Sequence, residues 1–209
     1  MWWAPRVRSW WIGALFALGS ACFAIGPFPG FVHLVGAQAD AAVFFAGSIA
    51  FTTAAALQCI PLSWAAGVQL PGTLFFNLST WDALDQTLSN ADENRLVWAP
   101  DVFGSVCFLV ASTIAYVPLR RQRGPARRIA VINLAGSVAF GVSAIASYVV
   151  PETGDVLDLA AANVTTVVGA LCFLAGAVLL LPQRDAPATS GPTPAMRRRS
   201  ARPGARPSR

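Results

Sequence analysis

Gln69, Thr73, Asn77 and Thr80 are spaced at three and four residues, so on a helix they stack on successive turns of one sector. In an apolar segment, such a stripe of amides and hydroxyls has two uses. It can hydrogen-bond to neighbouring helices, where each bond contributes about 0.6 kcal/mol on average. It can also line a path for a small neutral or zwitterionic solute. Pro71 lies within the stripe; it lacks an N–H and frees a carbonyl that a neighbour or water must satisfy. Asn133 and Asn163 are placed to face the stripe, so the candidate polar path is Gln69, Thr73, Asn77, Asn133 and Asn163.

The ionisable groups offer less. None falls deep in a predicted membrane helix, which disfavours a proton relay or voltage sensor. Asp40 and Asp101 open two predicted helices, where a carboxylate meets the positive helix end. The sharper alternative to capping is an outer cation vestibule shared with Asp82 and Asp85. His33, the only histidine, sits in a predicted loop with no second His or Cys at ligand spacing. Cys22, Cys107 and Cys172 recur at one position of an apolar repeat, Cys59 ends a helix, and no CxxC occurs. They read as small apolar thiols. Without a Ser–His arrangement, a phosphate-cradling loop or paired acids on a helix face, the sequence predicts no enzyme, no cofactor and no metal site.

The elements that must carry these residues are marked by a recurring pattern of Gly, a small residue, two further residues and Phe. It runs Gly19 to Phe23, Gly47 to Phe51, Gly72 to Phe76, Gly104 to Phe108, Gly136 to Phe140 and Gly169 to Phe173. A Phe four residues after a Gly lies on the same face one turn along. In lipid, helices associate by close approach at small residues and by Ser/Thr hydrogen bonds, so these twelve positions are the expected helix-packing residues. The segments match best three helices apart: Gly19–Phe23 with Gly104–Phe108, and Ala46–Phe51 with Ala135–Phe140. A three-helix unit crosses an odd number of times, so its second copy enters from the opposite face, the inverted repeat of many transporters.

The chain of 209 residues is 55% hydrophobic and only 12% charged, with a mean hydropathy of +0.55; a soluble domain carries about 25% charge. The predicted fold is an all-α polytopic bundle of six transmembrane helices, at about 10–27, 38–59, 64–83, 98–118, 128–150 and 159–182. It forms one domain over 1–182, built as an inverted 3+3 repeat. Every basic residue is Arg. Threading six helices puts Arg6, Arg8, the Arg120–Arg128 cluster and the tail arginines on one face. The positive-inside rule then makes both termini cytoplasmic. No cleavable signal peptide is evident, so the first helix is expected to stay as an anchor. Trp10, Trp11, Trp64, Trp81, Trp98, Tyr116 and Tyr148 at helix ends read as an interfacial belt. Residues 183–209 form a predicted disordered, Arg/Pro-rich tail able to contact anionic lipid around Arg197–Arg199. No nucleic-acid partner is expected; the bilayer, and a membrane-protein partner or second copy, are.

The Gly-Ser-x-x-Phe helices of residues 41–60, 102–118 and 131–150 resemble YrhK-like membrane segments of bacterial multi-pass proteins, and the Arg-only, Ala-rich composition resembles actinobacterial sequences. The resemblance implies an integral protein of the bacterial plasma (inner) membrane and brings no catalytic residues. The function read from the sequence is a non-enzymatic membrane scaffold or accessory subunit packed through its repeats. The alternative is a small permease or channel-like protein.

Overall fold

A computed structural model of the chain describes residues 3–181; the tail from 183 and its lipid contacts lie outside the described residues. Seven helices follow in chain order: α1 (Arg8–Ile25), α2 (Pro29–Val35), α3 (Ala37–Gln58), α4 (Trp64–Asp82), α5 (Asn90–Leu119), α6 (Pro125–Ala146) and α7 (Leu159–Leu180). By length and composition, α1, α3, α5, α6 and α7 are able to cross a membrane. The 19 residues of α4 are long enough, but Gln69, Asn77 and its hydroxyls leave it less apolar than the others. Helix starts follow local chemistry. Ser63, Ser89 and Asp158 each accept a hydrogen bond from a backbone N–H of the first turn. Gly36 and Gly124 turn the chain before α3 and α6 at φ of 85° and 134°, where a side chain would be strained.

Three elements differ from the sequence expectation. His33 lies on the short helix α2, not in a loop, and is exposed. The helix expected to begin at residue 98 begins at Asn90 and passes through a π-helical stretch, Glu93–Trp98. Pro100 reads as a first-turn proline; here it lies two residues past the end of that π stretch, inside a helix already under way. Helix α6 ends at Ala146, before the expected 150. Tyr148 to Leu157 fold back as a small β-bridged turn around Gly154 at φ 74°, with Leu157 N–H donating to Tyr148 O at 2.8 Å.

The six long helices form a closed ring in which each packs on its chain neighbours and α7 returns to α1. Within α1/α3, α4/α5 and α6/α7 the repeat glycines oppose one another. A Cβ on Gly19 would lie 2.8 Å from the Gly47 carbonyl oxygen, one on Gly104 3.0 Å from that of Gly72, and one on Gly136 3.1 Å from that of Gly169. Each glycine also receives a ring from the opposite motif: Phe51 on Gly19, Phe23 on Gly47, Phe108 on Gly72, Phe76 on Gly104, Phe173 on Gly136 and Phe140 on Gly169. All twelve packing residues are buried. Their contacts run between consecutive long helices, whereas the sequence likeness is strongest three helices apart.

Three of the small residues that follow a glycine, Ser48, Ser105 and Ser137, bond across other seams. Ser48 shares a 2.9 Å hydrogen bond with Thr80 across α3/α4. Across α5/α6, Ser137 donates to Phe108 O at 3.2 Å and Ser105 to Phe140 O at 3.4 Å. The α7/α1 seam relies on close approach, with a Cβ on Gly13 falling 3.1 Å from the Ala177 carbonyl oxygen.

Candidate functional site

The six repeat phenylalanines meet on the ring axis as two triangles. Phe23, Phe76 and Phe140 have centroids 5.9, 6.1 and 6.4 Å apart. Phe51, Phe108 and Phe173 are 5.6, 6.2 and 6.2 Å apart. Partners within each helix pair join the layers: Phe23–Phe51 at 5.6 Å, Phe76–Phe108 at 5.1 Å and Phe140–Phe173 at 5.3 Å. The rings meet edge-on or tilted, as their quadrupoles favour. Sequence spacing puts a Phe beside each Gly; convergence of all six follows from closing the ring.

A cavity of about 620 Å³ has the first triangle, Phe23, Phe76 and Phe140, in its lining. Asp40 of α3 and Glu93 and Asp101 of α5 stand in its wall with Ser79, Thr80, Ser143, Asn163 and Thr166, and among the described residues no basic side chain lines it. Neither Asp40 nor Asp101 caps a helix. Asp40 stands in the first turn of α3, at the positive helix end, but makes no capping hydrogen bond, and Asp101 lies well inside α5. The Asp40 Oδ1 atom is buried without a hydrogen-bond partner. Asp82 is outside this cavity. Asp85 lines a neighbouring 140 Å³ recess. Its carboxylate accepts from the Thr87 hydroxyl at 2.6 Å and N–H at 2.9 Å, which holds its pKa below the usual range. The expected acidic vestibule thus keeps Asp40 and Asp101, gains Glu93 and loses both Asp82 and Asp85.

The π stretch builds this wall. Glu93, Val97, Trp98 and Asp101 all reach the cavity, at the four- and five-residue spacing that gathers side chains on one helix face. Trp98 donates its indole N–H to Ala144 O at 2.8 Å and packs edge-on to Tyr148 at 5.0 Å. Asn94 clamps the turn after α6, donating to Val149 O at 2.6 Å and accepting from Val149 N–H at 3.0 Å. Asn94→Ala is expected to cost about 1–3 kcal/mol, the penalty of unpaired half-buried backbone groups, and to speed proteolysis within residues 150–156.

On the far side of the phenylalanines, an 80 Å³ cavity is lined by Phe173, Gln58, Gln69, Ser112 and Asn133. An adjoining 370 Å³ cavity shares the last four and reaches Leu119 and Ala126, beside the Arg120–Arg128 connection. Gln58 Oε1 is buried and unpartnered there.

The predicted polar path is therefore split. Gln69 and Asn133 meet at the arginine end, while Asn163 lies at the acidic end because α7 runs opposite to α6. Each four-residue step advances a helix by about 40°, so the stripe Gln69–Thr73–Asn77 rotates out of the ring interior. Thr73 is fully buried and donates to Leu70 O at 2.7 Å. Asn77 turns to the α3 seam, where its amide nitrogen, so oriented, donates to Ser48 Oγ at 2.9 Å and its oxygen accepts from Thr52 Oγ1 at 2.9 Å. Cys22, Cys107 and Cys172 lie half-buried on the helix-pair seams and line none of these cavities. Among the described residues no three His, Cys, Asp or Glu side chains gather closely enough to hold one metal ion.

No family model, curated protein or solved structure matches the chain.

Proposed function

We propose that this protein is a non-enzymatic, multi-pass protein of the bacterial plasma membrane that admits a small solute from either face, with an aromatic plug closing the middle. The observation that carries this is the pair of polar cavities on opposite sides of the two phenylalanine triangles. A hydrophobic constriction of this kind gates by excluding water. In this reading α4 is the sixth crossing, its polar residues shielded by α3 and α5. Both termini are cytoplasmic, and the acidic cavity faces outward, away from the arginines. The likeness of helices three apart in an alternating ring agrees with an inverted 3+3 repeat.

Unbroken packing of the six rings favours a second reading, the scaffold or accessory subunit. In that reading the repeats hold the chain's own helices, and a partner would need another surface, since the motif residues are buried within the ring.

Introduced thiols separate the two. With the native cysteines replaced, Thr166→Cys is expected to react with an impermeant maleimide added to intact cells. Gln69→Cys is expected to react only in inside-out vesicles. Protection of both from both faces, with full labelling after denaturation, would remove the solute path and leave the scaffold.

A further inference from the structure

The acidic cavity has a composition that selects among solutes. Its floor is aromatic, from Phe23, Phe76 and Phe140, and its wall carries the carboxylates of Asp40, Glu93 and Asp101 with no basic group among the described residues. Asp40 Oδ1 is buried without a partner, and neither aspartate is used as a helix cap. Buried carboxylate oxygens without donors are costly, so a cation entering here relieves a penalty that a neutral solute does not. A compact inorganic ion is the poorer fit, because these carboxylates are not gathered into a ligand set, whereas metal ions require several oxygens at one point. An ion with a diffuse charge and an apolar body matches separated carboxylates over ring faces.

We propose that this cavity binds an organic monocation, a quaternary or protonated amine, with its charge toward Asp40 and Asp101 and its apolar body on the Phe23–Phe76–Phe140 floor. This rests on the solute-path reading and names the class of solute. Binding would neutralise the wall without any counter-charge from the protein, and an anion of the same size would meet only repulsion.

The test uses the full chain in lipid nanodiscs with benzyltrimethylammonium as probe, and benzyl alcohol and benzenesulfonate as its neutral and anionic counterparts. Calorimetry is expected to show saturable binding of the cation and none of the anion. Asp40→Asn and Asp101→Asn should each weaken it about ten-fold or more, the range for loss of a charged partner, while Asp82→Asn leaves it unchanged. Neither asparagine breaks a hydrogen bond, and an unchanged unfolding temperature verifies that each variant is folded. Equal affinity for benzyl alcohol, full affinity in the Asp40→Asn/Asp101→Asn double variant, or no binding of the cation would each overturn the proposal. Solute passage through plug variants is measured separately. Passage without cation binding retains the path and rejects this class; cation binding without passage retains the site and rejects the path.

Discussion

Removing one phenylalanine from each triangle is expected to open the molecule, whereas removing two from the same triangle is not. In Phe140→Ala/Phe173→Ala both layers lose a ring at the same point, since these rings are direct partners at 5.3 Å. Erythritol entry into proteoliposomes should then rise on the order of ten-fold or more, the effect of lowering a dewetted barrier by about 1.4 kcal/mol or more. In Phe23→Ala/Phe140→Ala the second triangle of Phe51, Phe108 and Phe173 stays whole, and entry should stay near that of the parent. Both variants lose two rings, so a general loosening of the bundle would raise both alike; that result, or no rise in either, would reject the plug as the barrier.

The second large effect concerns the ring itself. Gly19→Val should abolish accumulation of folded protein, because even its Cβ would fall 2.8 Å from the Gly47 carbonyl oxygen and 2.9 Å from the Phe51 ring. Backbone cannot yield as a flexible side chain does, so Gly19→Ala alone should cost about 1–3 kcal/mol. Gly141 in α6 is the internal control. Nothing lies within 4 Å of a Cβ built there, and Ala at this position should be neutral or stabilise the helix by up to about 1 kcal/mol. Unfolding temperatures in detergent report the contrast. Equal loss at Gly19 and Gly141 would mean that the helix pairs are not held by close glycine approach.

The sequence by itself determined the six long helices and that their Gly, small and Phe positions face inward. In lipid an apolar stripe does not mark the buried face. A Leu or Val facing lipid, such as Val138 or Leu171, looks the same in sequence as one facing the core. The small residues do mark it, because only they permit backbone contact, and the Gly, the small residue after it and the Phe are buried in all six segments, while the residues between them include exposed ones. Asn163 was legible as a polar group within a helix; that it belongs with Asp40 and Asp101 and not with Gln69 was not, because helix direction reverses at every connection. Glu93 and the depth of Asp101 were hidden for a different reason. Pro100 imitates a helix start, so the turns from Asn90 to Trp98 that carry Glu93 and set Asp101 inside α5 read as a connection. Only the tertiary structure decided that three glycine-paired couples close into a ring. That closure brings six separately readable phenylalanines to one axis and leaves polar space on either side of them.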